Sequence, residues 1–292
     1  MAAVALVDRG PFRVGESPVW DADNARLYWT DIPAGTIHAL DTDTGRRQRW
    51  SFDEPVAAFG LCRSGRLVVG LRESVILFEP ATGRREVVAT LAHAKEGMRL
   101  NDGKVGPDGA FWIGSMDATG IGAPAAQLFR VAADGSVRIL AEGLATSNGL
   151  AWSPDGRRMY HSDSRGEMAL WAWDFDPLSG AADNRRQLSI VNETLGRADG
   201  GACDMAGNYW SCAPSQSRIN RFSSEGALLD WIDLPARHPT MPCFGGPDLR
   251  TLYITSLAGP PGPEQERLFP YCGGVMALNM ETPGVPVARF AD

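Results

Sequence analysis

Apolar and polar residues alternate through ALWAWDFD (169–176): Trp171, Trp173 and Phe175 fall on one side of the chain, Ala172, Asp174 and Asp176 on the other. A period of two is what a β-strand with unlike faces requires. The runs around it are of the same kind. GLAWSPD (149–155), RRMYHSDS (157–164), ALWAWDFD and RQLSIV (186–191) are four short β-type stretches separated by turn residues.

That arrangement repeats. A turn rich in Gly, Asp or Asn, followed by a short run with an apolar or aromatic centre, occurs six times: DADNARLYWTD (21–31), CRSGRLVVGL (62–71), GPDGAFWIGS (106–115), SPDGRRMYHSD (153–163), DMAGNYWSC (204–212) and GPDLRTLYITS (246–256). The centres are Tyr28, Val68, Trp112, Tyr160, Trp210 and Tyr253, at intervals of roughly 40 to 50 residues, the length of a four-stranded propeller blade. A second turn signal follows the third run of each copy: DTDTG (41–45), EPATG (79–83), AADGS (132–136), DPLSG (176–180), SSEG (223–226) and METPG (280–284). Two signals in six agreeing copies predict an all-β fold, a six-bladed β-propeller of four-stranded blades. A two-sheet sandwich would not demand a fixed interval. No linker interrupts the repeats, so residues 1–292 are expected to form a single domain. Its ring closes where the first strand (about 4–7) pairs into the last blade and removes an exposed edge.

Composition agrees and narrows the partners. The 33 glycines and 20 prolines suit a chain that turns often and argue against long helices. A formal net charge of −7 speaks against nucleic acid or an anionic membrane as partner. No apolar run is long enough to span a bilayer, and the opening MAAVALVDRG lacks the basic start and apolar length of a signal peptide. The five cysteines (Cys62, Cys203, Cys212, Cys243, Cys272) never form C-x-x-C, which fits free thiols in a cytoplasmic protein. A closed propeller is expected to be a monomer.

Function in a propeller gathers where the loops entering the innermost strands converge. Counting back 11 or 12 residues from each centre reaches the start of that strand and lands on Glu16, Asn101, Asn148 and Asp199 in blades one, three, four and five; blades two and six give apolar Val56 and Met241. Asn or Asp before Gly also reads as a turn residue. Glu16 does not, since Glu is no turn former and here opens an apolar strand. Two carboxylates and two amides around one axis match a single divalent cation in the channel. Their hard oxygens point first to Ca²⁺, then Mg²⁺ or Mn²⁺, with Zn²⁺ and Fe²⁺ also open.

GESPVW (15–20), RLNDGKVGPDGAFWIGSMD (99–117), SNGLAWSPDGRRMYHSDS (147–164), ADGGACDMAGNYW (198–210) and PCFGGPDLRTLYITS (242–256) together resemble the SMP-30/gluconolactonase family over essentially the whole chain. The resemblance implies a six-bladed propeller with one divalent metal in the channel and hydrolysis of lactones, often of aldonic acids. It makes Glu16, Asn148 and Asp199 the metal ligands, and Arg99 and Asn101 substrate-binding residues. Asp117, after the G-S-M block, takes the position that contacts sugar hydroxyls. Ala198 stands where the family usually has Pro, which leaves the neighbouring acid intact.

The expected reaction is metal-assisted opening of a sugar lactone to its aldonic acid. The cation polarises the carbonyl or acidifies bound water, Asp199 acts as general base, and Arg99 with Asn101 orients the carbonyl. Two rivals stand beside it: a phosphotriester hydrolase on the same site, and a non-catalytic propeller braced by its cation. There is no G-x-S-x-G elbow, no phosphate-binding G-x-x-x-x-G-K-[ST] loop and no H-E-x-x-H. Gly120-Ile121-Gly122-Ala123-Pro124-Ala125 lacks the βαβ setting of a dinucleotide site, and Cys243 has no His in sequence reach to make it a nucleophile. The segment 259–268 reads as a mobile lid or a long connection.

Overall fold

A computed structural model describes residues 3–260 and 262–292. Six four-stranded antiparallel sheets form the blades of a β-propeller. Their first strands, Gly15–Asp21, Ala58–Leu61, Met98–Val105, Ser147–Trp152, Gly201–Cys203 and Pro239–Gly245, line the axis and are buried throughout or nearly so. Outer strands such as Arg47–Ser51 and Leu228–Asp233 carry most of the exposed positions. Among the described residues no helix is long and apolar enough to cross a membrane.

All six repeat centres lie on the second strand of a blade. The physical reason is that this strand has core on both faces. Phe111 packs between blades two and three, while its neighbour Trp112 packs between blades three and four. Tyr209 and Trp210 divide in the same way between the interfaces on either side of blade five. Each of the six interfaces holds its own apolar cluster, closing with Trp20, Trp29 and Tyr253 between blades one and six.

The turn signals also have a physical basis. In the hairpins at 41–45, 79–83 and 176–180 the final Gly adopts φ near 70°, and its N–H returns to the first residue of the signal (Gly45 to Asp41, Gly83 to Glu79, Gly180 to Asp176). The sixth signal, METPG, leads elsewhere. The fourth strand of the last blade is Ala5–Asp8, paired with Val275–Asn279, so strands from the two ends of the chain share one sheet. The chain after 284 crosses the far face of the ring instead. Val285 N–H donates to Cys203 O (3.0 Å), Phe290 N–H to Leu61 O (2.8 Å) and Ala291 N–H to Gly109 O (2.9 Å). Arg289 pairs with Asp21 at 2.6 Å and Arg66 with Asp292 at 2.8 Å.

The ladder between first and second strands is broken near the axis in four blades. Register slips between Glu16 and Val19, Leu100 and Gly103, Asn148 and Ala151, and Pro239 and Pro242. Such bulges re-aim side chains. Ser17 and Gly149, each following a predicted site residue, are left-handed, with φ of 46° and 74°.

Because each interface is a separate close-packed core, truncation in one is felt fully. Trp112 is completely buried and its indole N–H donates to Asp108 Oδ1 at 3.1 Å. Trp112→Ala is expected to lower unfolding free energy by about 3–5 kcal/mol. Leu178→Ala, at a side chain 93% exposed, should change it by less than about 0.5 kcal/mol. Denaturant titration of both variants checks the pair.

Candidate active site

The bulged strands bring Arg99, Asn101 and Asn148 into direct contact. Arg99 Nη1 donates to Leu100 O (2.8 Å) and Asn101 Oδ1 (3.2 Å). Asn101 Nδ2 donates to Ser147 O (3.0 Å) and to Asn148 Oδ1 (2.9 Å). Asn148 Nδ2 donates to Ser164 Oγ (2.7 Å), whose own hydrogen goes to Ala198 O (2.6 Å), one residue before Asp199. The chain of donors runs one way, from blade three through blade four to the residue preceding Asp199.

The carboxylates complete the site. Glu16 is 7% exposed, and its Oε2 accepts from Ser17 N–H at 2.8 Å. Burial, then the charges of Asp199 and Asp102, push its pKa well above the ordinary carboxylate value. Asp199 as a residue is half-buried, yet loss of hydration and then Asp102 push its pKa up to about 8, against the opposing pull of Arg197 and the Gly200 N–H. Each of these groups is hard to ionise beside the others.

Asp102 was missed by sequence reasoning, which took Asn101-Asp102-Gly103 as one polar position with turn character. Its side chain is buried, Oδ2 accepts from Gly149 N–H at 2.8 Å, and Oδ1 has no partner among the described residues. Lys104 was missed too; its Nζ donates to Gly201 O at 2.6 Å, and its charge opposes the upward shifts of Glu16 and Asp102. The pattern R-x-N-D-G-K held the signal, since an acid and a lysine so close to a buried axis need each other. Arg99 loses some of its own basicity to burial, falling to about 10, with Glu16 opposing that fall and Arg72 adding to it.

Asp117 sits apart from this group. It faces Met98 across the blade-three ladder, and its oxygens are engaged by the next loop: Thr119 N–H (2.8 Å) and Thr119 Oγ1 (2.5 Å) on Oδ1, Ala123 N–H (3.0 Å) on Oδ2. These bonds hold its pKa down to about 2. Val56 and Met241, the apolar counterparts, are both buried. Cys243 is a buried thiol, raised to about 11 by burial, on an apolar cavity of about 240 Å³ at the far end of the channel. The segment 259–268 contains a short helix, Pro263–Leu268, and also Pro261, which lies outside the described residues.

Among the described residues no three Cys, His, Asp or Glu side chains converge as a ligand set. A cation here therefore needs the amide oxygen of Asn148 beside the carboxylates of Glu16 and Asp199. The donors fit a hard divalent ion: all are oxygens, Asn148 Oδ1 keeps a second lone pair, and the acids repel one another unless a positive charge joins them.

Residues 14–258 match the model of the SMP-30/gluconolactonase/LRE-like region. The chain belongs to this family. Among its relatives, the 6-deoxy-6-sulfogluconolactonase of Pseudomonas putida is 38% identical over 98% of this chain and 97% of its own length. The pentonolactonase XacC of Haloferax volcanii is 29% identical, covering 99% of this chain and 98% of that one. Among solved structures, the calcium-binding regucalcin of Agrobacterium tumefaciens superposes with a TM-score of 0.92 over 99% of this chain and 97% of that one, at 24% identity. That last likeness shows the fold alone.

Raised carboxylate pKa values mean that the folded, metal-free protein holds protons which the unfolded chain releases. Stability therefore falls as pH rises towards about 8, the value for Asp199. The lowered pKa of His161, about 4, acts in the opposite sense only up to the free-histidine value near 6.5. Between pH 6.5 and 8 the melting temperature in chelator should fall for wild type. It should fall less for Asp199→Asn, whose amide mimics the protonated acid. Parallel slopes in thermal melts would refute the assignment.

Proposed function

We propose that this SMP-30-family propeller is a metal-dependent lactonase that opens a sugar lactone to its aldonic acid. Relatives named as sulfogluconolactonase and pentonolactonase support lactone hydrolysis. The observation that carries the reading is the grouping of Glu16, Asn148 and Asp199 beside Arg99 and Asn101. Repelling acids next to a cationic donor and two amides suit a reaction that develops negative charge on oxygen.

In this reading Glu16, Asn148 and Asp199 hold one divalent cation, with Ca²⁺ first among candidates. When bound, the cation supplies Lewis-acid polarisation of the lactone carbonyl and acidification of water. The other roles fall to side chains. Asp199 takes a proton from the attacking water; burial favours its protonated form in the metal-free protein, and beside a bound cation its pKa would come down so that the carboxylate is available to accept. Arg99 spends only Nη1 on its backbone and Asn101 contacts, leaving N–H groups to steady the developing oxyanion. Asp117 has one lone-pair site left on Oδ2 for a substrate hydroxyl, and its three loop bonds fix the rim formed by Thr119 and Ala123.

Metal-stripped protein, assayed by acid release from aldonolactones, pentonolactones and 6-sulfo lactones with each cation restored, tests the proposal. Turnover should require a cation, and Asp199→Asn should lower kcat by about 10²–10⁴-fold. Bound metal with release from phosphotriesters alone would transfer the site to that chemistry. Bound metal with no turnover on either class would leave a braced scaffold and refute the lactonase.

A further inference from the structure

The donor chain through the site ends on a hydroxyl that sequence comparison with the family motif does not single out. Ser164, 4% exposed, touches Ala198 O at 2.6 Å and Asn148 at 2.7 Å. A carbonyl oxygen carries no hydrogen, so the single hydroxyl hydrogen of Ser164 must point at Ala198. Towards Asn148 the serine can then only accept, and the Asn148 atom facing it must be the amide nitrogen. The oxygen is thereby turned to the side of Asn101. Asn101 must present its own nitrogen in reply, which leaves Asn101 Oδ1 to accept from Arg99. Amide orientation normally rests on assignment of indistinguishable atoms; here Asn101 is fixed by Ser147 O, which can only accept, and by Arg99, which can only donate, and the Ser164 hydrogen fixes Asn148 in the same sense from the opposite side.

We infer that Ser164 is a positioning residue: its hydroxyl clamps the Asn148 amide in the polarity that Asn101 also demands and tethers the backbone just before Asp199. Without it, Asn148 Nδ2 loses its acceptor, and only the Asn101 contact still holds the Asn148 oxygen in place. Partners that orient a ligand in this way are typically worth about 10–100-fold in metal affinity. The consequence for cation binding rests on the functional reading above; the amide polarity does not.

A matched control lies two residues away. Ser162 is fully buried, and its Oγ has no hydrogen-bond partner among the described residues. Ser164→Ala, Ser164→Thr and Ser162→Ala are compared with wild type by two readouts. The first is hydrogen exchange of the Asn148 side-chain amide in ¹H–¹⁵N spectra of metal-free protein. The second is Ca²⁺ affinity by calorimetry. The Asn148 amide should be protected in wild type, Ser162→Ala and Ser164→Thr and should exchange quickly in Ser164→Ala. Ca²⁺ affinity should drop by about 10–100-fold only in Ser164→Ala. Should Ser164→Ala not fold, Ser164→Cys fills the same space with a weak acceptor and is expected to show the same losses in smaller measure. A protected Asn148 amide in wild type that binds no cation would refute the metal reading while upholding the polarity. Equal amide protection and equal affinity with and without the hydroxyl would overturn the inference.

Discussion

Three of the four axial polar residues, Glu16, Asn101 and Asn148, depend on interrupted β-ladders. Every blade is packed on both faces by its neighbours, so a strand that alternated regularly near the axis would send each side chain into an apolar interface. Glu16, Asn101 and Asn148 avoid this because register is lost at their positions. At Asn148 the break is held by specific bonds. Gly149 is left-handed, its N–H is taken by Asp102, and its carbonyl accepts from Tyr209 Oη at 2.9 Å. A Cβ on Gly149 would approach Tyr209 Oη at 2.5 Å and Ser162 Oγ at 2.7 Å, so only glycine fits. The bulge at Asn148 is thus tied to blades three and five together.

This explains how much could be read from the chain alone. The hairpin glycines and the aromatic second strand are local signals, and each corresponds to a local cause: a positive φ, or a strand with core on both faces. Counting back from the strand centre reaches the first-strand region of each blade because every blade keeps nearly the same distance from its first hairpin to the axis. What the chain could not disclose is direction. Ser164 in SDS looks like any strand-end serine, and its importance comes from Ala198, 34 residues later, lying against it. Asp102 resembled a turn residue because its sequence setting is that of one. Asp117 was assigned by resemblance to substrate contact, and its strongest observed bonds run to its own loop.

The electrostatics of the site couple its charge to pH. Glu16, Asp102 and Asp199 raise one another's or their neighbours' pKa values, and Lys104 is the cation that most offsets Glu16 and Asp102. That ammonium is committed to Gly201 O, so it steadies the group without neutralising it. Two means of balancing the remaining charge are left. At low pH protons do so, bound to carboxyls that burial has made weak acids. At higher pH a cation would have to replace them, and in the proposed metal site the amide oxygen of Asn148 would join the two acids as a ligand. The six apolar interfaces lie between blades and not on the axis. A ring of separate cores can therefore carry at its centre a cluster whose protonation changes near neutral pH. The interfaces supply the apolar burial that holds the ring together, and the axial carboxylates make a part of its stability depend on pH.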